Sequence, residues 1–177
     1  MNILGISGSL RKLSRNTALL REAVRLFGPS TPIYADLNLP LYNGDLEDRI
    51  GLPDAVKTLK AQILAADAII IATPEYNKMI PGVLKNALDW ISRDNPQPLV
   101  GKPVAIMSTG GRFGGEVSQF TLRHALAPFN TNILQGAAFA VANGASAFDE
   151  NEQLVLPLHA AALTALMARL RTEAQRQ

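Results

Sequence analysis

Two short loops of this chain carry residue types that bind phosphates and flat aromatic rings. One has the sequence Gly-Ser-Leu-Arg-Lys-Leu-Ser-Arg-Asn at positions 8–16, and the other has Pro-Glu-Tyr-Asn at positions 74–77. Hydroxyl and guanidinium groups donate hydrogen bonds to a phosphate, and a tyrosine ring offers an apolar face to a planar ligand. Because each loop lies between a short apolar run and a helical pattern, the pair predicts a bound phosphorylated cofactor.

The first loop joins a buried strand, predicted over residues 2–6, to an amphipathic helix. Ser14 is suited to cap that helix, because its oxygen can accept a hydrogen bond from the N–H of Asn16 or Thr17. The remaining N–H groups and the positive end of the helix dipole attract an anion, and Arg11 adds a cation. Neither G-x-G-x-x-G nor the Walker A pattern is present. An ordinary strand-to-helix turn with a capped helix is the alternative.

The second loop follows residues 68–72, whose sequence Ala-Ile-Ile-Ile-Ala is the strongest strand pattern in the chain. A strand that is apolar on both faces belongs at the centre of a sheet covered by helices. Pro81 then begins a helix, so the loop lies at the carboxyl edge of a central strand, where open α/β sheets bind ligands. We expect Tyr76 and Asn77 to face that crevice. The alternative is that Tyr76 only covers the loop and Asn77 only caps a turn.

Both loops resemble the NADPH-dependent FMN reductase family, flavodoxin-like proteins that include chromate and quinone reductases and related azoreductases. The first loop is similar to the family pattern G-S-x-R-x-x-S-x-N. The second is similar to P-E-Y-N-x-x-x-P-G-x-L-K-N-A-x-D-W, which runs here from Pro74 to Trp90. A third segment, residues 108–115, is similar to the family's glycine-rich loop beside the flavin ring. The resemblance extends over residues 2–141.

The resemblance implies FMN as cofactor and NADPH or NADH as co-substrate. It implies that the FMN phosphate is held by Ser9, Arg11, Ser14, Arg15 and Asn16. It implies that the edge of the isoalloxazine ring is lined by Pro74, Glu75, Tyr76 and Asn77, and that the ring is contacted from the third loop by Ser108 and Gly111. Since the flavin lies near a dimer interface in such families, it also implies a homodimer or a homotetramer.

Strand and helix patterns alternate along the rest of the chain. Further strands are predicted at 31–37, at 104–107 and within 132–141, and a long loop with Pro40 and Gly44 follows the second strand. Five strands and five helices in strict alternation predict one flavodoxin-like α/β domain over residues 1–177. Its doubly wound, five-stranded parallel sheet has the order 2-1-3-4-5, with helices on both faces.

Composition limits the possible chemistry. The absence of cysteine excludes disulfides and thiolate sites, and the two histidines, His124 and His159, argue against a histidine-rich metal site and receive no role. A formal net charge of +2 with scattered Lys and Arg residues gives little support for nucleic-acid binding. No apolar run approaches the roughly 20 residues of a membrane span, and no leader pattern precedes the first strand. The sequence therefore predicts a cytoplasmic protein without a metal, a nucleic-acid partner or a membrane partner.

The implied reaction has two half-reactions at one site. A nicotinamide passes hydride to the flavin and leaves, after which a quinone, a nitro or azo compound, chromate or free flavin takes the electrons. The sequence assigns no catalytic acid or base, so the small-molecule acceptor is not fixed. The resemblance implies that donor and acceptor specificity are set near Arg112 and Phe113; Arg112 either meets a 2′-phosphate or is a solvated loop arginine.

Two other function classes stay open. A flavodoxin-type electron carrier holds flavin and passes single electrons to protein partners, although the basic isoelectric point near 9.1 argues against it. A flavin-binding or nucleotide-binding regulatory module binds its ligand without oxidising a nicotinamide. Bleaching of bound flavin by NADPH or NADH separates the reductase from both alternatives.

Overall fold

A parallel β-sheet forms the centre of the molecule in the computed structural model, which describes residues 1–93 and 95–176. Its strands are β1 (Asn2–Ser7), β2 (Thr31–Tyr34), β3 (Ala68–Ala72), β4 (Pro103–Thr109), β5 (Asn132–Ile133) and β6 (Phe139–Val141). The order across the sheet is β2-β1-β3-β4-β5, β6 also pairs with β4, and these pairings are parallel. This order, with helices on both faces, confirms the predicted flavodoxin-like fold.

The helices cover two separate apolar cores. They are α1 (Arg15–Phe27), α2 (Gly44–Ile50), α3 (Asp54–Ala65), α4 (Gly82–Ile91), α5 (Glu116–Leu126) and α6 (Pro157–Ala174), and a short 3-10 turn, Ala127–Phe129, follows α5. Successive strand residues point to opposite faces of the sheet. Ile70 and Met107 accordingly pack with α1 and α6, whereas Ile69 and Ile106 pack with α3, α4 and α5.

The strand predicted within residues 132–141 is divided into two pieces. β5 pairs with the start of β4, through Asn132 and Pro103, and β6 pairs with its end, through Phe139 and Met107. Gly136 lies between the pieces with φ 128°, a backbone conformation outside the strand region. Because β6 ends beside β4, the loop that follows it still reaches the carboxyl edge of the sheet.

The segment after β2 contains a helix that periodicity did not indicate. Two helices, α2 and α3, connect β2 to β3, so the expected strict alternation of five strands and five helices is wrong here. No residue of α2 is buried, and a helix without an apolar stripe has no 3.6-residue pattern to detect. Its start signal is Asn43, whose side chain accepts a hydrogen bond from the N–H of Asp45 at 2.9 Å.

β2 is the exposed edge strand of the sheet. All four of its residues are exposed, and it ends at Tyr34 rather than at the predicted residue 37. Pro32 lies in this strand opposite Ile3 of β1. Proline is tolerated there because an edge strand needs hydrogen bonds on one side only.

α4 anchors the chain that leads into α2. It begins at Gly82 with Pro81 as its N-cap, one residue later than predicted. Trp90 is fully buried, and its Nε1–H donates to the carbonyl of Pro40 at 2.7 Å, while the side chain of Asn86 donates to the same oxygen at 3.0 Å. The side-chain N–H groups of Asn86 and Trp90, two residues of the pattern that runs from Pro74 to Trp90, thus hold the chain around Pro40 in place.

Candidate functional site

The loops after β1, β3, β4 and β6 enclose a cleft of about 830 Å³ at the carboxyl edge of the sheet, here called the main cleft. The predicted site residues that line it are Ser9, Arg11, Ser14, Arg15, Asn16, Pro74, Tyr76 and Gly111. The residues that line it without having been predicted are Leu13, Thr109, Gly110, Asn143, Gly144, Ala145 and Ser146. Within the described residues, its walls carry two guanidinium groups and no carboxylate. Such a cleft favours an anion.

The start of α1 forms one end of the main cleft. Ser14 is the N-cap, as predicted, and its Oγ accepts a hydrogen bond from the N–H of Thr17 at 3.3 Å. The N–H groups of Arg15 and Asn16 have no acceptor in residues 1–93 and 95–176, because the first turn of a helix has no preceding carbonyls. Together with the helix dipole, they attract an anion.

The side chain of Asn16 ties α1 to the end of β4. It is buried, donates to the carbonyl of Thr109 at 2.9 Å and accepts from the N–H of Thr109 at 3.0 Å. Because the amide is engaged in this pair, the backbone N–H is the donor that Asn16 leaves for the cleft. The sequence pattern placed Asn16 in the site and did not reveal this second role.

The loop after β3 ends in a tight turn. Tyr76 and Met79 exchange two backbone hydrogen bonds of 3.1 and 3.0 Å, and between them Asn77 and Lys78 have φ values of 51° and 66°. This is the geometry of a two-residue hairpin turn, in which asparagine tolerates the left-handed conformation. Tyr76 lines the main cleft, as expected, whereas Asn77 lies exposed at the tip of the turn and does not line it. A flavin contact of Asn77 stays a prediction.

Glu75 links the second loop to the third. Its carboxylate accepts a hydrogen bond from the N–H of Val117 at 3.1 Å and forms an ion pair with Lys78, with 3.1 Å between the closest oxygen and Nζ. The N-cap of α5 is Gly115, which has no side chain to accept from the helix. A carboxylate at a helix start is favourable, so Glu75 supplies the cap from another loop.

Ser108 and Gly111 have different positions in the third loop. Ser108 is completely buried in β4, and its Oγ accepts a hydrogen bond from Nε2 of Gln119 at 2.8 Å. Ser108 lines neither the main cleft nor the cleft beside the third loop, and its contact with a ring stays a prediction. At Gly111 an added Cβ meets nothing within 4 Å, which leaves room above the loop.

A smaller cleft of about 310 Å³ continues from the main cleft along the third loop. It is lined by Pro74, Glu75, Tyr76, Lys78, Thr109, Gly110, Gly111, Arg112, Phe113 and Gly115. Two cations flank the exposed ring of Phe113, with Arg112 at 5.5 Å and Lys78 at 6.0 Å from its centroid. Because Lys78 is paired with Glu75, the net positive charge at the mouth of the site comes from Arg112, beside an apolar surface.

The loop at residues 142–146 is the part of the site that sequence reasoning missed. Its Asn143 and Gly144 donate backbone hydrogen bonds to the carbonyls of Gly111 and Gly110, at 3.0 and 2.8 Å. An added Cβ at Gly144 would lie 2.6 Å from Oγ1 of Thr109, so a glycine is required there. The Asn-Gly pair at positions 143 and 144, one residue beyond the predicted fifth strand, was the available signal.

The comparisons with known proteins agree on a family. Residues 1–146 match the family described as NADPH-dependent FMN reductase. An NAD(P)H-dependent FMN reductase of Pseudomonas aeruginosa is 44% identical over 158 residues, which span 88% of this chain and 85% of that protein. An NADPH:quinone oxidoreductase of Arabidopsis thaliana is 48% identical over 128 residues, which span 70% of this chain and 65% of the plant protein. The solved structure of the flavoenzyme NAD(P)H:(acceptor) oxidoreductase FerB from Paracoccus denitrificans superimposes with a TM-score of 0.89 at 29% identity, covering 99% of this chain and 97% of that one.

Proposed function

This chain belongs to the NADPH-dependent FMN reductase family, and from that premise we propose that it is an FMN-dependent NAD(P)H oxidoreductase that reduces quinones or free flavin. When bound, FMN supplies the redox chemistry by accepting a hydride from a nicotinamide and passing the electrons to the acceptor. The protein's part is to bind, to orient and to set the electrostatics of the site. The main cleft, cationic and without a carboxylate among its described residues, is the observation that carries this proposal.

The main cleft fits FMN in size and in charge. Its volume of about 830 Å³ lies within the range of roughly 300–1,000 Å³ that is typical of small-molecule sites. One end offers unpaired N–H groups at the start of α1, and the other combines the Tyr76 ring with the open surface above Gly111. A phosphate at the first end would accept hydrogen bonds from these N–H groups, and a flat ring at the second end would pack against Tyr76.

At the phosphate end, we assign direct hydrogen bonds to the hydroxyl of Ser9, the guanidinium of Arg11 and the N–H groups of Arg15 and Asn16. Arg11 is exposed and free to turn toward a bound anion, which a guanidinium group can hold with two hydrogen bonds. Ser14 already accepts from Thr17 and still has its own O–H to donate.

At the ring end, Pro74 and Tyr76 form one wall and Gly111 forms the floor. Glu75 has a positioning role, because its hydrogen bond with the N–H of Val117 fixes the second loop against the start of α5. We assign Asn77 and Ser108 the same kind of role: Asn77 shapes the turn that carries Tyr76, and Ser108 holds Gln119 beneath the third loop. No side chain is assigned proton transfer.

The open small cleft is where we place the second substrate. Arg112 favours acceptors that carry negative charge or polar oxygens, and the exposed Phe113 favours aromatic ones. Quinones, nitro and azo compounds, and chromate fit this combination. The same guanidinium group is available to the 2′-phosphate of NADPH.

The proposal also covers the oligomeric state of the protein and its location in the cell. Large apolar side chains, 49–67% exposed, lie on the second loop, the third loop and α5: Tyr76, Met79, Phe113 and Phe120. Exposed apolar groups of this size are typical of an interface, which supports a homodimer or homotetramer.

No helix in the described part of the chain is long and apolar enough to cross a membrane. We place the enzyme in the cytoplasm, with small molecules rather than nucleic acids or membranes as partners.

A visible absorption spectrum of the FMN-reconstituted protein tests the proposal. Anaerobic NADPH, and in a separate sample NADH, is expected to bleach the bound flavin, and a quinone is expected to restore the colour. Bound flavin that neither donor bleaches would indicate an electron carrier or a regulatory module instead. A protein that retains no FMN after gel filtration would overturn the cofactor assignment.

A further inference from the structure

A second cleft lies on the other side of the first loop and has no role in the reaction described above. This adjacent cleft, of about 390 Å³, opens at the carboxyl ends of β1 and β2. Ser9 and Arg11 line both it and the main cleft, so the loop is a wall shared between them. A cleft of this volume is large enough for a small ligand or for one half of a larger one.

Tyr34 provides an aromatic surface in the adjacent cleft. Its ring lies across Gly5, where an added Cβ would come within 3.0 Å of the ring carbon Cδ1, and 45% of the residue is exposed. One side of the ring therefore rests on the sheet while the remainder is open to a ligand. Burial raises the pKa of Tyr34 and the positive charge of Arg21 opposes that rise, which places the guanidinium near the phenol.

Charged groups of both signs complete the lining. Lys12 is exposed and lines this cleft but not the main one, whereas Arg11 lines both. Asp36 is also exposed, and one of its oxygens accepts from the N–H of Asn38 at 2.8 Å, which leaves the other oxygen for a ligand. Arg21 is engaged by Glu152 at 2.8 Å and contributes less charge.

We propose that the adjacent cleft binds an adenosine 5′-phosphate group, with the base on Tyr34, the ribose hydroxyls on Asp36 and the phosphate on Lys12 and Arg11. An aromatic ring stacks with any nucleobase, and a carboxylate accepts hydrogen bonds from both hydroxyls of a ribose. The cations neutralise a phosphate. FAD and NAD(P)H, the two dinucleotides that a flavin reductase can use, both contain an adenylate group. The choice of adenine as the base therefore rests on the proposed function.

The shared wall favours FAD as the source of this group. A flavin phosphate held by Ser9 and Arg11 lies at the boundary between the two clefts. FAD is FMN extended from that phosphate by an adenylate group, so its second half continues into the adjacent cleft. The protein is then expected to accept FAD as well as FMN, with extra affinity from the second half.

Two substitutions outside the main cleft test the inference, with a matched control on the same strand. Lys12→Gln removes a cation and Tyr34→Ala removes the stacking surface, whereas Ile33→Ala truncates a neighbouring β2 side chain that does not line the cleft. Titration calorimetry measures the Kd of FMN and FAD with the flavin-free protein, and the Kd of 5′-AMP with both the flavin-free and the FMN-loaded protein. Loss of base stacking is expected to weaken FAD and 5′-AMP by about fivefold or more. FMN affinity is expected to stay within about twofold, and Tyr34→Phe is expected to restore binding.

The outcomes distinguish FAD from a nicotinamide dinucleotide as the source of the adenylate group. They also distinguish failure of this inference from failure of the proposed function. Selective loss of FAD affinity in Lys12→Gln and Tyr34→Ala supports FAD as the source. Unchanged FAD affinity with weaker 5′-AMP binding to the FMN-loaded protein, and a higher KM for NADH, supports the nicotinamide dinucleotide instead. If neither FAD nor 5′-AMP responds to the substitutions, the inference is wrong even where FMN binds. If wild-type protein fails to bind FMN, the proposed function fails, and the 5′-AMP titration still decides the adjacent cleft.

Discussion

The two ends of the main cleft are built in different ways. The phosphate end comes from one continuous segment, residues 8–16, in which a strand end, a loop and a helix start follow each other. The ring end comes from three loops, at residues 74–79, 108–115 and 142–146, that are far apart in sequence. The first end depends on local backbone geometry. The second depends on hydrogen bonds between loops, so single substitutions should affect the two ends differently.

Two contacts show how the distant loops are joined. Glu75 caps α5 from the loop after β3, and Gly144 donates a backbone hydrogen bond to Gly110 at 2.8 Å. Asn16 belongs to the phosphate end by sequence and is bonded to Thr109 at the ring end. We therefore expect damage at one end to reach the other through this side chain; the guanidinium of Arg15, which donates to the carbonyl of Ala145 at 3.5 Å, is a second link.

Asn16→Ala is expected to have the largest effect. The substitution leaves the N–H and the carbonyl of Thr109 without their partner at a residue that is 2% exposed. Two unsatisfied buried groups lower the free energy of unfolding by about 2–4 kcal/mol. Asn16→Asp keeps the acceptor but places a buried carboxylate oxygen against the carbonyl of Thr109, so we expect it to recover none of the loss. Urea denaturation of the FMN-free protein measures both, and wild-type stability in Asn16→Ala would show that other contacts hold the two ends together.

Arg11→Ala is expected to have the next largest effect, on cofactor binding rather than on stability. Removing a charged hydrogen-bond donor from a phosphate costs about 1.5–3 kcal/mol, which is roughly a 10- to 100-fold weaker FMN affinity. Arg112→Ala is the matched control, since Arg112 is an exposed arginine of the small cleft at the ring end. Fluorescence titration with FMN compares them. Equal losses in the two variants, or wild-type flavin content in Arg11→Ala, would contradict the assignment of the phosphate end.

Much of this site was predictable from sequence because its signals are local. The Ser14 cap and the buried isoleucine strand follow from residue spacing within short segments, and the order of the sheet follows from the alternation of strands and helices and from the positions of the binding loops. Tyr76 was identified by its position after the isoleucine strand, and Gly111 by the family pattern. The contacts of Glu75 with Val117 and of Asn16 with Thr109 were not predictable, because they join residues 42 and 93 positions apart. For the same reason, burial of Ser108 under α5 became visible only in the folded chain.

Glu75→Gln tests the link between the second and third loops with a smaller effect. The amide oxygen still accepts from Val117, but the negative charge at the helix start and the ion pair with Lys78 are lost. We expect a loss of about 0.5–1 kcal/mol in the free energy of unfolding. Glu116→Gln removes the same charge from the first turn of α5 without touching the bridge. Faster hydrogen exchange at residues 110–117 in Glu75→Gln alone would show that the Glu75 carboxylate stabilises the third loop. Equal exchange in the two variants would show that it does not.

Asn77→Gly is expected to have the smallest effect and separates two possible roles of Asn77. Glycine adopts φ near 51° without strain, so the turn that carries Tyr76 is preserved. If Asn77 only shapes the turn, FMN affinity and kcat/KM stay within about twofold of wild type. Asn77→Ala keeps the Cβ and loses the tolerance for this conformation, so a decrease in stability of about 1 kcal/mol is expected. A tenfold loss of FMN affinity in Asn77→Gly would instead show that the amide contacts the flavin.

Pro32 limits self-association through the open edge of the sheet. The N–H groups of Thr31 and Ala35 donate to the carbonyls of Met1 and Gly5 on the β1 side, so residues 32 and 34 direct their backbone groups outward. Pro32 has no N–H to offer there, and an incoming strand meets a donor only at Tyr34. An edge strand interrupted in this way is a poor template for intermolecular pairing. Pro32 thus protects the chain against aggregation at high concentration, independently of anything that binds in the clefts.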